Sequence, residues 1–379
     1  MMWEMVKLET IAEIIAGQSP DSIYYNKNGE GVPFFQGKAD FGDDYPTVRY
    51  YCTVPTKMAK PLDILLSVRA PVGPTNICDK DACIGRGLAA IRCKKGLDHK
   101  FLYFYLKSIE QKLAASGNGS TFSAITTSVI KEIEIPLPPL SIQQRIAAIL
   151  DKADALRRKD QALLKKYDAL AQAIFINMFG DPIKNERGWE VRKLGQMGNL
   201  DRGISKHRPR NEPSLLGGIY PLVQTGDVAN SGGIIKTYKS TYSELGLKQS
   251  KLWSKGTLCI TIAANIAKTG VLDFNACFPD SIVGFIPKKN ETNTLFIQHW
   301  LSFLQKMLED TAPESAQKNI NLEMLRNLDV INPPFEEQES FRNRIELVLK
   351  LRDNCLELQK KSESLFQSLL HQAFKGDLG

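Results

Sequence analysis

The chain has 379 residues, of which 43% are hydrophobic, and 49 Lys and Arg against 42 Asp and Glu give a net charge of +7. This length predicts two or three domains with sizeable cores, and the modest positive charge suits a nucleic-acid partner without requiring one. The sequence shows neither a basic N-terminal segment followed by an apolar run nor a stretch of about 18 apolar residues. We therefore expect a cytoplasmic protein with no signal peptide and no membrane span.

Two copies of one unit follow each other along the chain. Trp3-Glu4-Met5-Val6-Lys7-Leu8 recurs 186 positions later as Trp189-Glu190-Val191-Arg192-Lys193-Leu194, and Pro138-Pro139 recurs 195 positions later as Pro333-Pro334. Gly17, Gln36 and Gln143 match Gly203, Gln224 and Gln338 in the same order. Because the matches keep their order while the offset grows, the second copy carries extra residues in loops, and the architecture is an internal repeat.

The first part of each copy is predicted to be an α+β domain. Residues 64–68 and 87–91 are predicted to be short strands and residues 101–111 a helix, with frequent Gly and Pro between them. The second copy repeats the strands at 258–262 and 282–286 and the helix at 295–308. We predict two tandem mixed α/β domains, residues 1–140 and 181–335, whose strand topology the pattern does not determine.

A long helix is predicted to follow each domain, at residues 141–180 and 336–379. Apolar residues recur in alternating steps of four and three, which is a heptad seam with Asp160 as a polar position. A helix with a one-sided seam must bury it, and only the other copy's helix is equally long. We therefore predict an antiparallel coiled coil with a pseudo-two-fold axis, the alternative being two surface helices of a compact enzyme. The seam positions are Ile142, Ile146, Ile149, Ala153, Leu156, Leu163, Tyr167, Leu170 and Ile174, and Phe341, Ile345, Val348, Leu351, Cys355, Leu358, Leu365 and Leu369.

One tetrapeptide suggests catalysis. Asn332-Pro333-Pro334-Phe335 matches the motif with which amino-methyltransferases hold the target amino group, and it would fit a stand-alone adenine DNA methyltransferase. The first copy has Leu137-Pro138-Pro139-Leu140 there, and no Gly-rich loop for a methyl donor occurs in the sequence. The prolines are better explained as a break between strand and helix.

Other catalytic patterns are also missing from the sequence. It contains no phosphate-binding GxxxxGK[ST] loop, no complete nuclease carboxylate pattern and no Ser/His/Asp set. Cys78, Cys83, Cys93 and His99 lie near one another, but seven cysteines without a CxxC pair favour buried thiols over a metal site. We predict no catalytic residue, no metal and no cofactor in this chain.

Basic residues beside glycine and proline are candidates for DNA contact. Loops of this composition can approach phosphates closely and can place an arginine against a guanine edge. The alternative for each residue is a solvated surface charge. The candidates are Lys57, Lys60, Arg69 and Arg86 in the first copy, Arg202, Lys206, His207, Arg208 and Arg210 in the second, and Asn118 and Ser120 in a polar loop.

Four segments resemble a known family. Residues 136–146 (Pro-Leu-Pro-Pro-Leu-Ser-Ile-Gln-Gln-Arg-Ile) resemble the entry to the central conserved helix of type I restriction–modification specificity subunits, and residues 332–338 resemble the entry to their C-terminal conserved helix. The two Trp-Glu openings, at Trp3 and Trp189, are similar to the starts of the family's target-recognition domains. The likeness covers nearly the whole chain.

The resemblance implies a non-catalytic, DNA-binding subunit. Each recognition domain would read one half of a split, asymmetric double-stranded DNA target, and the helices would set the distance between the halves. Two modification (methyltransferase) subunits would dock on the helices with S-adenosylmethionine, and restriction (motor-nuclease) subunits would supply ATP- and Mg²⁺-dependent cleavage. An orphan or type IIB-like module that serves methylation only is the alternative. The docking candidates are Gln143, Ile146, Ile149, Leu156, Gln338, Phe341, Val348 and Leu365.

Overall fold

The fold is seen in a computed structural model, which describes residues 3–116, 124–263, 267–311 and 320–378. The chain forms two compact units, residues 1–162 with 356–379 (unit 1) and residues 163–355 (unit 2). Each unit thus contains one α+β domain and a part of both long helices, whereas the sequence suggested four consecutive segments. Within the described ranges, no helix is long and apolar enough to cross a membrane.

Unit 1 contains an antiparallel four-stranded sheet in the order β2-β10-β7-β8, a mixed five-stranded sheet in the order β3-β5-β4-β9-β6, and the pair β1-β11. The predicted strands 64–68 and 87–91 correspond to β7 and β10, and the predicted helix 101–111 to α2 and α3. The elements are β1 Met5–Lys7, α1 Leu8–Ile11, β2 Ala12–Ala16, β3 Tyr25–Asn26, β4 Val32–Phe35, β5 Tyr50–Cys52, β6 Met58–Ala59, β7 Ile64–Ser67, β8 Thr75–Ile77, β9 Ala82–Ile84, β10 Leu88–Cys93, α2 His99–Ser108, α3 Glu110–Ala115, α4 Thr127–Lys131, β11 Glu134–Pro136 and the first part of α5 Leu140–Phe179.

Unit 2 repeats this plan with a five-stranded sheet in the order β13-β19-β17-β18-β15 and the pairs β12-β20 and β14-β16. The predicted strands 258–262 and 282–286 correspond to β17 and β19, and the predicted helix 295–308 to α9. The elements are β12 Val191–Lys193, α6 Leu194–Met197, β13 Gly198–Arg202, β14 Leu216–Leu222, α7 Thr225–Ala229, β15 Ile234–Ile235, β16 Ser240–Tyr242, α8 Glu244–Lys248, β17 Leu258–Thr261, β18 Thr269–Leu272, β19 Ile282–Pro287, α9 Thr294–Thr311, α10 Leu322–Arg326, β20 Asp329–Ile331 and the first part of α11 Phe335–Lys375.

The two long helices run antiparallel in both units. In unit 1 the start of α5, at Ile146 and Leu150, shares a core with the end of α11, at Phe366 and Leu370. An ion pair of 3.4 Å joins Arg157 to Glu363. In the internal repeat, Arg352 corresponds to Arg157 and Asp168 corresponds to Glu363. These two residues form the equivalent ion pair between the same helices in unit 2, at 2.9 Å. The antiparallel pairing and the internal repeat that the sequence predicted are confirmed.

A glycine follows the last residue of each long helix. Gly180 follows Phe179 at the end of α5 with φ +76°, and Gly376 follows Lys375 with φ +92°. A residue with a side chain rarely adopts this left-handed conformation, which explains why glycine stands at both positions. Helix α5 starts at Leu140, directly after Pro138-Pro139, and α11 starts at Phe335, directly after Pro333-Pro334.

The predicted seam is only partly correct. Six of its leucines are between 37% and 55% exposed, whereas Ala147, Leu150 and Phe366, outside the predicted seam, are buried. In each unit a helix packs on its own domain as well as on the other helix, so the buried face is displaced from the heptad seam. The exposed leucines form three repeat-related pairs: Leu156 and Leu351, Leu163 and Leu358, and Leu170 and Leu365.

A buried glutamine ties the first turn of each long helix to its domain. The Gln143 amide donates to the carbonyls of Gly96 (3.0 Å) and Pro138 (2.8 Å) and accepts from the Asp98 N–H (2.8 Å). Its repeat counterpart, Gln338, donates to the Pro333 carbonyl (2.9 Å) and accepts from the Thr292 hydroxyl (2.7 Å). We call this arrangement the glutamine latch.

The latch also includes the start of the domain's main helix. Asp98 caps α2 by accepting from the Phe101 N–H at 2.9 Å, and Asn293 caps α9 by accepting from the Phe296 N–H at 2.9 Å. Asn293 additionally donates to the Gln338 carbonyl at 2.9 Å. In unit 1 the buried amide joins the loop before α2 to the start of α5, and in unit 2 it joins the loop before α9 to the start of α11. Each glutamine therefore fixes the direction in which the long helix leaves its domain.

Removing either latch should destabilise the unit that contains it. Gln143→Ala or Gln338→Ala leaves the buried carbonyl of Pro138 or Pro333 without this partner, at a cost of about 1–3 kcal/mol, and also removes the other hydrogen bonds of the latch. Because the Pro138 or Pro333 carbonyl is the group that loses its partner in a buried position, we expect the melting temperature, measured by calorimetry, to fall by a few degrees. Gln144→Ala, which alters the exposed neighbour on the same turn, is the control and should have little effect. Equal melting temperatures for Gln143→Ala and Gln144→Ala would contradict the latch.

Candidate nucleic-acid interface

Several loops of unit 1 converge on the segment Gly85–Gly87. Ile84 N–H donates to the Lys57 carbonyl (2.9 Å), Val68 N–H donates to the Gly87 carbonyl (2.9 Å), and Arg86 N–H donates to the Ser19 hydroxyl (3.2 Å). A Cβ atom on Gly87 would lie 2.4 Å from the Gln36 carbonyl oxygen, so only glycine allows this approach. We define the unit 1 edge as loops 17–19, 36–37, 54–57, 68–71 and 85–87.

Three of the predicted DNA-binding residues lie on this edge. Lys57, Arg69 and Arg86 are exposed, and none forms an ion pair with a described residue. Lys60 lies apart, because β6 runs antiparallel to β9 and places Lys57 beside Ile84 but Lys60 beyond Ala82. The structure therefore separates Lys60 from the cluster with which the sequence grouped it. Asn118 and Ser120 lie outside the described residues.

Unit 2 has the same edge. Gly203 N–H donates to the Ile282 carbonyl at 2.8 Å, which is equivalent to the bond from Gly17 N–H to the Leu88 carbonyl at 2.9 Å in unit 1. Ile262 N–H donates to the Ser281 carbonyl at 3.0 Å, which is equivalent to the bond from Val68 N–H to the Gly87 carbonyl. We define the unit 2 edge as loops 203–212, 262–263 and 279–281 together with residues 224–226 at the start of α7. Loop 203–212 is longer than its counterpart in unit 1, and its added residues include Lys206-His207-Arg208-Pro209-Arg210.

This basic loop is held in place by Asp280 and Gln249. Arg210 donates to the Asp280 carboxylate, with which Arg208 also forms an ion pair at 3.5 Å, and Arg202 donates to the Asp280 carbonyl at 3.0 Å. The N–H groups of Lys206 and His207 both donate to the Gln249 side-chain oxygen, at 2.6 and 3.0 Å. The structure thus brings all five predicted residues of this loop region together, and the Asp280 carboxylate pairs with two of the arginines, Arg208 and Arg210.

The two edges acquire positive charge from different residues. Asp280 occupies the place of Arg86, and Ala263 the place of Arg69, so unit 2 has neither arginine at these places and has the inserted basic loop instead. The two edges thus share a backbone frame but carry different side chains. Their role in DNA binding stays a prediction.

Sequence reasoning missed Gln36 and Gln224. Both are exposed and lie at the start of the equivalent loop on the two edges, directly after the buried residues Phe35 and Val223. Their match within the repeat was the available signal, but it was used only to define the repeat.

Most of the predicted docking residues are not accessible. Gln143, Ile146, Gln338 and Phe341 are buried because they hold the helices to the domains, Val348 is also buried, and Ile149 is half-buried. Leu156 and Leu365 are exposed by 47% and 48%. Any docking surface on the two helices must therefore consist of exposed residues such as these leucines.

The Asn332-Pro333-Pro334-Phe335 segment has a structural role. Asn332 N–H donates to the Glu190 carbonyl at 2.7 Å, as Leu137 N–H does to Glu4 at 2.9 Å in unit 1. The Pro333 carbonyl accepts from the latch residue Gln338 at 2.9 Å. The motif is thus the junction between β20 and α11, as the sequence analysis favoured.

The cysteines that lie near one another in the sequence are free thiols in the structure. Cys78 and Cys83 are buried and Cys93 is half-buried, and burial raises the pKa of the Cys78 and Cys93 thiols to about 12. Such thiols stay protonated at neutral pH and are poor metal ligands. In the part of the chain that the structure describes, no group of three His, Cys, Asp or Glu residues is arranged to hold a metal ion.

These features define a class of protein. It is a tandem duplication in which each α+β domain presents a basic loop edge and packs against parts of two antiparallel helices. The family model "Type I restriction modification DNA specificity domain" matches residues 2–166 and 186–363. The chain therefore belongs to the family of type I restriction–modification specificity subunits, which are the non-catalytic components of their complexes.

Individual relatives agree with this assignment. The putative MjaX specificity subunit of Methanocaldococcus jannaschii is 48% identical over 170 residues, a match that spans 43% of this chain and 40% of that relative. The MjaIX specificity subunit of the same organism is 24% identical over 97% of this chain and 92% of its own length. The EcoBI specificity subunit of Escherichia coli is 23% identical over 99% of this chain and 86% of its own length.

Solved structures show the same fold. The crystal structure of a type I restriction–modification S subunit from M. genitalium superposes with a TM-score of 0.64 at 17% identity, covering 98% of this chain and 96% of that one. A second solved chain comes from a study of complex assembly and conformational transition of the type I restriction–modification system. It superposes with a TM-score of 0.56 at 19% identity, covering 99% of this chain and 98% of that one.

Proposed function

We propose that this chain reads a bipartite, asymmetric double-stranded DNA target for a type I restriction–modification complex. Each unit reads one half of the target with its loop edge. The observation that carries the proposal is the pair of equivalent edges, which share a backbone frame but carry different basic side chains. Equal frames would place both edges on DNA in the same way, and different side chains would select different bases.

Phosphate contact is the expected role of most of the cations. Lys57 and Arg69 in unit 1, and Lys206 and Arg208 in unit 2, lie on turn-rich loops that are exposed to solvent. Contacts to phosphate fix the position of a protein on the duplex without selecting sequence. Base selection would fall to fewer side chains on the same edges.

The exposed leucines support docking of two modification subunits. Unit 1 exposes Leu156, Leu358 and Leu365, and unit 2 exposes Leu163, Leu170 and Leu351. These residues are related in pairs by the internal repeat, so each partner would meet an equivalent set. Apolar side chains exposed at regular helical spacing mark protein–protein contact sites.

The chemistry would reside in the partner subunits. The modification subunits would bind S-adenosylmethionine and methylate adenine after flipping it out of the duplex. Restriction subunits would use ATP and Mg²⁺ to move along DNA and cleave it. The complex would act in the cytoplasm, and this chain would supply the target specificity and the assembly platform.

The salt dependence of DNA binding tests the unit 1 edge. Replacing Lys57, Arg69 and Arg86 by Gln should weaken binding to duplex DNA and should reduce the slope of log K against log salt by about 0.9 for each phosphate that is no longer neutralised. Binding is measured by fluorescence anisotropy between about 50 and 200 mM salt. Lys60→Gln, at the other end of β6, is the matched control and should leave the slope unchanged. A triple variant with the wild-type slope would exclude this edge from the interface.

Charge introduction at the leucine pairs tests the docking surface. Leu170→Lys with Leu365→Lys should prevent stable assembly with modification subunits, because the apolar contact of each partner would meet one charge. The isolated chain should keep its melting temperature, since both side chains are already about half exposed. Assembly is followed by native mass spectrometry, with Leu245→Lys, an exposed leucine on α8, as the control. Normal assembly of the double variant would contradict docking at these leucines.

A further inference from the structure

We infer that Gln36 and Gln224 are base-reading residues that each contact the major-groove edge of an adenine in one half of the DNA target. The inference rests on the proposed function and goes beyond it by assigning the kind of base and the residue that selects it. The observations that carry it are the equivalence of the two positions, their fixed backbone and the chemistry of their side chains.

The two glutamines occupy the same place in both units. Gln36 follows the end of β4 and Gln224 follows the end of β14, and each side chain is exposed to solvent. The N–H of Gln36 donates to the Asp40 carboxylate at 2.6 Å, and the N–H of Gln224 donates to the Asp227 carboxylate at 2.9 Å. Two exposed glutamines are thus held by similar turns, whereas the cations around them differ.

The backbone at both positions is well fixed. Asp40 is 1% exposed, and Arg49 Nε donates to its carboxylate at 2.7 Å. The close approach of Gly87 to the Gln36 carbonyl adds a second restraint. In unit 2, Gln224 lines a cavity of about 300 Å³ together with Arg210 and Tyr242. An exposed side chain on a rigid support is what base reading needs, because binding then orders few additional torsions.

The chemistry of the side chain selects adenine. A glutamine amide can accept a hydrogen bond from adenine N6 and donate one to N7 at the same time, and no other base pair offers this pattern in the major groove. In unit 1 the exposed Arg86 lies beside Gln36 and fits the two acceptors of guanine. Unit 2 has Asp280 in that place. We therefore expect an adenine at the equivalent position of both half-targets, contacted by Gln36 in one half and by Gln224 in the other. The base next to this adenine should differ between the two halves, because Arg86 lies beside Gln36 whereas Asp280 has that place in unit 2.

Selection from a library of randomised duplex DNA tests the inference. The full-length chain, assembled with modification subunits, is used as wild type, Gln36→Ala and Gln224→Ala, and bound sequences are read out. Each variant should lose the preference for one adenine, in opposite halves of the target, with about ten-fold weaker binding to the wild-type target. Asn28→Ala, on the turn at the opposite end of β4, is the control and should select the wild-type sequence.

A second variant keeps the test independent of folding defects. Gln36→Glu retains the shape of the side chain but replaces the amide donor by an acceptor, so it should change the preference from adenine to cytosine, whose N4 group donates. Variants that select the wild-type sequence would overturn the inference while leaving the proposed function intact. A wild-type complex that selects no split sequence would instead refute the proposed function, and the inference with it.

Discussion

The buried amide at the first turn of each long helix is the constraint on which the rest of this structure depends. Gln143 and Gln338 are fully buried, and an amide is stable there only if its donors and its acceptor are satisfied. Each satisfies them with the loop before the domain's main helix and with the carbonyl of the first proline, Pro138 or Pro333. One interaction thus sets where a strand ends, where a 40-residue helix begins and how both meet the domain core. The Asn-Pro-Pro-Phe segment takes its form from this junction rather than from catalysis.

Duplication preserved this frame while the side chains around it diverged. Asp154 of unit 1 is buried, which by itself would raise its pKa, but Lys107, Arg157 and Arg158 lower the pKa below its ordinary value. Its repeat counterpart in unit 2 is Leu349, so an ion network in one copy corresponds to an apolar contact in the other. The loop edges show the same principle, since Arg86 in one copy corresponds to Asp280 in the other. A scaffold that tolerates such changes can present two different surfaces from one fold.

Patterns along the sequence were sufficient for the architecture and insufficient for the surfaces. The repeat, the strands around residues 64–68 and 258–262 and the long helices are local or periodic features, and the structure has them close to where the sequence placed them. The buried face of each helix differs from the predicted seam, because periodicity along the sequence cannot show that a helix packs on two partners at once. Leu163 and Leu358, which belong to the predicted seam, are therefore exposed. Gln143 and Gln338 were taken for docking residues because the family resemblance implies docking on these helices, and the sequence does not show that both side chains are buried. Lys60 was grouped with Lys57 because proximity in sequence does not show which end of a strand a residue occupies.

The central claim is that the two units read two separate halves of one DNA target. The most direct measurement is the genome-wide map of adenine methylation in cells that contain the chain with its modification subunits, compared with cells in which only the chain is deleted. The account predicts methylation at a split, asymmetric sequence that disappears with the chain. Methylation that is unchanged by the deletion, or that depends on the chain but falls in one continuous sequence, would contradict it.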